Sequence, residues 1–362
     1  MNRLTLARLA RNPLNGLLLL VPVVAVLLAS GSPPPWVLLT SALAIVPLAG
    51  WIGESTETLA AYTGPRLGAL LNATLGNAAE LIITIVAIRE GLLELVKASI
   101  TGSILGNLLL VLGLSMMAGG VKHGRQSFDQ RKALSDSILL VLAVVALSIP
   151  SLFAQATDGI GGWSVEVLSL GVAGLMVALY GMGLHHAFRI DRGPLARPSA
   201  QPVTHTPTWS LRGALLLLVL ATVGVAWLSE VLVAQVEPVV LSLGVSQFFL
   251  GVVLIPIVGN VAEHLVAVTV ALKNDMSLSV EIAVGSSLQV ALFVVPVLVF
   301  LSLALGHPLT LVFNRFELIA LIGGVLIAAL VSADGEANWL EGAELLAVYL
   351  MLALAFFLLP VA

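Results

Sequence analysis

The chain has 362 residues, of which 59% are hydrophobic and only 10% are charged, and its mean hydropathy is +1.08. Soluble globular domains carry about 25% charged residues, so this composition excludes an ordinary soluble protein. The net charge of −4 is small and gives no reason to expect a nucleic-acid partner. The absence of cysteine excludes disulfides, thiolate catalysis and cysteine-based metal sites.

Long apolar stretches recur along the chain, and each can form a helix that crosses about 30 Å of hydrocarbon. We therefore predict an all-α polytopic membrane protein with about eleven transmembrane helices. The first stretch, which ends in the small residues Ala29 and Ser30, also fits a signal peptide, but an uncleaved first span is preferred. The predicted spans are 14–30, 35–60, 66–88, 98–118, 135–156, 162–184, 211–235, 245–272, 279–304, 316–332 and 341–360.

Basic residues predict the orientation in the membrane. If the N-terminus is cytoplasmic, all of the 16 Lys and Arg except Arg89, Lys97 and Arg315 fall on the cytoplasmic side. Cytoplasmic segments of membrane proteins are enriched in these residues, so we predict N-in, C-out. The longest polar stretch, 185–209, is rich in Pro, Arg and His and predicts a cytoplasmic linker between two halves.

The two halves share a motif. GNAAE at 76–80 recurs as GNVAE at 259–263, an offset of 183 residues (259 minus 76), and the same offset aligns Gly102-Ser103 with Gly285-Ser286. We predict an N-terminal helix in 1–34, a five-helix repeat in 35–184, the linker in 185–210 and a second five-helix repeat in 211–362. Because five is odd, the repeats enter the membrane with opposite polarity, as in secondary transporters that bind substrate near the midplane.

Each motif carries one carboxylate deep in an apolar span, Glu80 and Glu263. No Lys or Arg lies within the cores of the predicted spans. A buried carboxylate is costly, so each must be protonated or paired with a cation from solution. The alternative is a protonated structural glutamate bonded to a neighbouring helix. The predicted metal ligands are Glu80, Glu263, Asn77, Asn260, Ser103 and Ser286, although the amides and hydroxyls also fit interhelical packing.

Other polar residues and the motif glycines complete the predicted site. The candidate proton-coupling residues are the two motif glutamates with His264, Glu57 and Glu230, of which the last two also fit solvated helix ends, and His264 also fits a structural histidine. Possible pathway-lining residues are Thr84, Asn107 and Gln289. Gly76, Gly102, Gly259 and Gly285 are predicted to permit close packing of helices.

Carboxylate, amide and hydroxyl oxygens form a hard site of the kind that binds Ca²⁺. A proton can occupy the same carboxylates, so the two ions compete, and alternate exposure of one site to both sides of the membrane suffices for exchange. The sequence contains no His-rich metal motif and no group of residues typical of nucleophilic catalysis, so nothing in it indicates an enzyme. We expect no cofactor besides the transported Ca²⁺ and H⁺.

Three stretches resemble one known family. The sequences at 68–88, 249–297 and 337–360 are similar to the signature segments of CAX-type Ca²⁺/H⁺ exchangers of the Ca²⁺/cation antiporter superfamily. The resemblance implies ten core helices plus an N-terminal one, and Ca²⁺ transport driven by a proton gradient. It also implies central cation-binding and proton-accepting roles for Glu80 and Glu263, and site roles for the matching asparagines, serines and His264. The chain departs from some relatives in its basic linker and in Gly106, where serine is common.

The sequence therefore predicts a Ca²⁺/H⁺ antiporter in a lipid bilayer. A Na⁺-coupled or monovalent cation/H⁺ exchanger is the alternative, followed by a passive cation channel, which the inverted repeat disfavours. We expect a prokaryotic plasma membrane, with a vacuolar membrane as the alternative. Whether the protein is a homo-oligomer stays open.

Overall fold

A computed structural model describes residues 13–157, 162–190 and 209–359. Predictions that fall on residues 1–12, 158–161, 191–208 and 360–362, among them most of the basic linker, lie outside these ranges. The described ranges form helices joined by short connections, together with one two-residue antiparallel ladder between Gln126–Ser127 (β1) and Glu336–Ala337 (β2).

We number the helices in the described ranges in chain order. They are α1 (Pro13–Ala29), α2 (Pro34–Thr63), α3 (Pro65–Leu75), α4 (Ala78–Arg89), α5 (Leu93–His123), α6 (Gln130–Ala156), α7 (Gly162–Ile190), α8 (Leu211–Leu243), α9 (Gln247–Leu272), α10 (Met276–Ala304), α11 (Arg315–Val331) and α12 (Trp339–Leu358).

All eleven predicted spans coincide with helices, which confirms the helical membrane fold. Eight of the described helices are long and apolar enough to cross a bilayer, and α1 is a shorter apolar helix. One predicted span, 66–88, is interrupted at Gly76 and Asn77 and forms α3 and α4. Periodicity and hydropathy did not predict this interruption, because neither registers an irregularity of two residues within an apolar stretch.

The predicted span 98–118 begins later than the helix that the structure shows, and this leaves Lys97 outside the predicted span. Helix α5 begins at Leu93, five residues before the predicted span, so Lys97 lies in its second turn and is buried. Its ammonium donates to the Val312 carbonyl oxygen at 2.8 Å and pairs with Glu94. The polar partners explain how a lysine is accommodated there, because a buried ammonium must be bonded.

The chain divides into two compact units. Unit 1 contains residues 1–86 and 178–239, and unit 2 contains residues 87–177 and 240–362. In unit 1, the long helix α2 packs against α1, α3 and α8. The Trp51 indole donates to the Asn15 side chain, while Trp209, just before α8, donates from its indole to Glu54 and accepts from the Tyr62 hydroxyl.

In unit 2, α5 packs against α9, α10, α11 and α12. Glycines permit the closest approaches: a Cβ on Gly342 of α12 would lie 2.2 Å from the Met117 nitrogen of α5. Between α10 and α11 the chain forms neither helix nor strand, and its side chains Leu309, Leu311 and Phe313 are buried. Its backbone bonds to serine side chains of neighbouring helices, which satisfies non-helical backbone within an apolar interior. These serines are Ser151, Ser169 and Ser302.

Three helices of unit 2 contain π-helical segments: Gly106–Val111 in α5, Leu250–Leu254 in α9 and Val290–Val294 in α10. In α9 and α10 the cause is local, because Pro256 and Pro296 follow the segment, lack an N–H and crowd the carbonyl four residues earlier. The segments in α5 and α10 are related by the offset found in the sequence, since 106–111 plus 183 is 289–294. This recurrence supports the internal repeat.

Candidate cation site

In unit 1, the break between α3 and α4 determines the surroundings of Glu80. Helix α3 ends at Leu75, α4 begins at Ala78, and Glu80 lies in the first turn of α4. Asn77 and Glu80 are 1% and 2% exposed. The N-terminus of a helix carries a partial positive charge, which favours an anion there. The break therefore places a buried carboxylate where the backbone stabilises its ionised form, an arrangement typical of the discontinuous helices of transporters.

Thr84 lies one turn after Glu80 and is buried. Its hydroxyl donates to the backbone carbonyl oxygens of Glu80 at 2.7 Å and Leu81 at 3.1 Å. The hydroxyl proton is thus used within α4, and Thr84 can offer only an oxygen lone pair to a cation.

In unit 2, Glu263 lies on α9, one turn after the buried Asn260, and is itself half-buried. The Ser286 hydroxyl of α10 donates to Glu263 Oε2 at 2.5 Å. A hydrogen bond to a carboxylate is about twice as strong as one between neutral groups, so it fixes the position of this oxygen. Two residues that the sequence singled out separately are therefore brought together.

A second contact joins α9 to α5. His264 Nε2 lies 3.1 Å from Asn107 Oδ1, and because an amide oxygen only accepts, the imidazole donates. Asn107 is buried in the π-helical segment of α5, and its side-chain nitrogen has no hydrogen-bond partner within the described ranges. The structure therefore links His264 to a predicted pathway-lining residue.

Two motif glycines at equivalent repeat positions differ in their surroundings. A Cβ on Gly102 would lie 2.1 Å from the Val252 carbonyl oxygen and 2.7 Å from Pro256 Cγ, so α5 and α9 approach closely there. Val252 precedes Pro256 by four residues, and its carbonyl is the one that the proline deprives of a helical partner. By contrast, apart from its chain neighbours and the nearby backbone of its own helix, no atom of the described ranges lies within 4 Å of a Cβ on Gly285, which does not support close packing at that position.

The remaining predicted residues divide by burial. Ser103 is buried, and Gly76, Gly259 and Gln289 are half-buried. A Cβ on Gly76 would lie 2.5 Å from the Asn72 carbonyl oxygen, which shows a tight end to α3. Glu57 on α2 and Glu230 on α8 are exposed. Their proton-coupling role stays a prediction.

Sequence reasoning missed two ionisable residues in unit 2, Lys97 and Glu317. Glu317 is fully buried in the first turn of α11. The spacing Asn314-x-x-Glu317 before an apolar run is a capping-box signature that could have located the start of α11 and hence this carboxyl. The π-helical segments were also missed, although Pro256 and Pro296 within apolar runs signalled two of them.

The comparisons with known proteins agree with this architecture. The chain matches the family model described as sodium/calcium exchanger protein over residues 34–188 and 213–358. It is 44% identical over 338 residues to a Ca(2+)/H(+) antiporter of Aphanothece halophytica, covering 90% of this chain and 91% of the relative. It is 46% identical over 318 residues to the Ca(2+)/H(+) antiporter ChaA of Bacillus subtilis, covering 87% and 90%.

One solved structure, that of native YfkE, has a TM-score of 0.81 and 41% sequence identity to this chain, covering 94% of this chain and 97% of its own. The family match spans both predicted repeats and both GNxxE motifs. The chain belongs to the sodium/calcium exchanger protein family.

Proposed function

We propose that this protein is a secondary antiporter that exchanges Ca²⁺ for H⁺ across a membrane. One observation carries the proposal: each of the two GNxxE motifs places a glutamate one helical turn after a buried asparagine, and the Ser286 hydroxyl donates to the glutamate of the second motif. Relatives at 44% and 46% identity are named Ca(2+)/H(+) antiporters, which supports these two ions as substrates.

The exchange follows from competition for the carboxylates. Ca²⁺ prefers six to eight oxygen ligands, and two glutamates neutralise its charge. The proposed ligands are Glu80, Glu263, Asn77, Asn260, Ser103 and Ser286. When Ca²⁺ leaves, protons neutralise Glu80 and Glu263 in its place, so that neither carboxylate remains charged in an apolar environment. Alternate exposure of the carboxylates to the two sides then couples an inward proton flux to Ca²⁺ export.

Residues around the glutamates orient them. The Ser286 hydroxyl holds Oε2 of Glu263 in place. Asn107 Oδ1 accepts a hydrogen bond from His264 Nε2, so the imidazole of the residue after Glu263 has a fixed direction. The helix N-terminus at Glu80 favours its anionic form during Ca²⁺ binding. Glu57, Glu230 and His264 are proposed to pass protons toward these carboxylates.

We also propose the orientation predicted from the charges, with the N-terminus cytoplasmic and the C-terminus outside. The location we propose is a prokaryotic plasma membrane. The inverted five-helix repeats of 35–184 and 211–362 supply the alternating access, and their common offset in the π-helical segments supports that division.

The test is uptake of ⁴⁵Ca²⁺ into proteoliposomes with an imposed pH gradient. We expect uptake that rises with the proton gradient and that Na⁺ does not replace. Glu80→Gln and Glu263→Gln should each abolish exchange, because an amide can neither bind a proton nor neutralise Ca²⁺, while circular dichroism shows retained helix content. Na⁺-dependent uptake insensitive to the pH gradient would refute the coupling, and full transport by either variant would refute the role of its carboxylate.

A further inference from the structure

Glu317 is a buried acid that the proposed exchange does not use. Its side chain is 0% exposed. Oε2 accepts a hydrogen bond from the Asn314 backbone N–H at 2.7 Å, and Oε1 lies 3.5 Å from the Thr101 hydroxyl of α5. The second contact is at the limit of hydrogen-bond length and therefore weak. No cation lies within ion-pair distance of this carboxyl in the described ranges.

The nearest cation on α5 is the ammonium of Lys97. Lys97 lies one helical turn before Thr101 on α5, so the two side chains share a face. In the structure its ammonium bonds the Val312 carbonyl oxygen and Glu94 instead of Glu317. Val312 and Asn314 belong to the same non-helical segment before α11, so the partners of Lys97 and Glu317 are two residues apart. The bonding seen here suits an uncharged Glu317, because an ionised carboxyl buried without a cation is strongly disfavoured.

We propose that Glu317 is a second proton-binding site, separate from the GNxxE carboxylates. With the proton bound, Lys97 bonds Val312 and Glu94, as the structure shows. When the proton leaves, the carboxylate attracts the Lys97 ammonium, which turns from the Val312 carbonyl toward Glu317 and keeps its own three protons. The change links the proton state of Glu317 to α5, which also carries Ser103 and Asn107.

The charged groups that face Glu317 are few. Helix α5 contributes Lys97 and Glu94, and α11 itself contributes Arg315 at its first residue. The adjoining half of α6, residues 137–156, contains no titratable side chain, and the non-helical segment contributes His307 at its far end. The charges of Lys97 and Glu94 act on Glu317 in opposite senses. Helix α12 contacts α11 through Phe356 and Phe316, and its half nearest that contact contributes Tyr349.

Glu281 on α10 and Lys132 on α6 provide a solvent-exposed control. They form a direct ion pair whose side chains are 52% and 48% exposed. The Glu281 carboxylate is thus already paired in water, and the proposal predicts no buried proton there.

The experiment is an infrared pH titration of the full-length protein in liposomes, following the C=O stretch of protonated carboxyl groups. We expect a titrating band that disappears in Glu317→Gln and persists in Glu281→Gln and in Glu80→Gln. Glutamine can accept from the Asn314 N–H and donate to Thr101, so the variant should keep its unfolding temperature. Identical bands in the wild type and a folded Glu317→Gln variant would overturn the proposal.

If Glu317→Gln does not fold, a second variant tests whether Glu317 binds the proton. Lys97→Met removes the cation that favours the ionised form, so the midpoint of the Glu317 band should move up by about one pH unit. An unchanged midpoint would overturn the coupling to Lys97. Proton binding by Glu317 does not depend on the proposed function. Only a role for that proton in transport rests on Ca²⁺/H⁺ exchange. A failure of Ca²⁺/H⁺ exchange in the flux assay would leave the infrared band in place, and the two failures are thereby distinguished.

Discussion

Ser286 and Ser287 are neighbours on α10 whose hydroxyls do different things. Ser286 donates to Glu263 at 2.5 Å, whereas Ser287 donates to the Ala283 carbonyl oxygen of its own helix at 3.0 Å. A hydrogen bond to a charged group contributes about 1.5 kcal/mol or more, which corresponds to roughly a tenfold change in affinity. We predict that Ser286→Ala raises the KM for Ca²⁺ by about tenfold and that Ser287→Ala leaves it unchanged.

Initial rates of ⁴⁵Ca²⁺ uptake over a range of Ca²⁺ concentrations measure both variants. Their thermal unfolding temperatures show whether either change acts through stability instead. Equal effects of the two substitutions on KM would contradict a specific role for the Ser286 hydroxyl.

Individual site residues were predictable from the sequence where a charged residue interrupted an otherwise apolar span. Glu80 and Glu263 were recognisable because a carboxylate within an apolar span needs a reason, and the repeated GNxxE motif supplied one. The partner of each residue was not predictable in the same way. His264 and Asn107 are far apart in the chain and meet only because α5 packs against α9, so the contact depends on tertiary structure that a motif does not encode.

At the scale of the helix, Gly102 and Gly285 offer a paired test. They are equivalent in the repeat, but a Cβ on Gly102 would lie 2.1 Å from the Val252 carbonyl oxygen, whereas one on Gly285 would meet nothing within 4 Å. We predict that Gly102→Ala destabilises the protein by about 1–3 kcal/mol through overpacking. Gly285→Ala should be neutral or slightly stabilising, since alanine is the better helix former.

Thermal unfolding in detergent, followed by circular dichroism at the helix minimum, compares the two variants under the same conditions. A similar loss of unfolding temperature in both would show that the close approach of α5 to α9 does not account for the glycine at 102.

Helix boundaries were predictable from hydropathy, but helix irregularities were only partly so. Pro256 and Pro296 explain the π-helical segments of α9 and α10, whereas the segment in α5 contains no proline and has no comparable sequence signal. The two GN dipeptides behave differently as well: Gly76 and Asn77 interrupt a helix, while Gly259 and Asn260 lie inside α9. Since the local sequences are nearly the same, packing around them must decide the conformation.

For the whole molecule, hydropathy located the apolar helices, while the grouping of these helices required tertiary contacts. The predicted domains follow the two halves of the chain, but each compact unit takes helices from both halves, and each contains one GNxxE motif. Apolar runs show which segments enter the membrane. They carry no information on which spans pack together, because every span is apolar on more than one side. The repeat boundaries therefore stay a prediction.

The orientation of the whole molecule can be tested with single cysteines, because the chain contains none. Ser30, between α1 and α2, and Ser127, between α5 and α6, are both exposed, and replacing serine with cysteine changes one atom. The bias of Lys and Arg toward one side predicts that Ser30 faces outside and Ser127 faces the cytoplasm. In intact cells, a membrane-impermeant maleimide should label Ser30→Cys and spare Ser127→Cys, with both labelled after permeabilisation. The reverse pattern would invert the proposed topology, and with it the direction in which a proton gradient drives Ca²⁺.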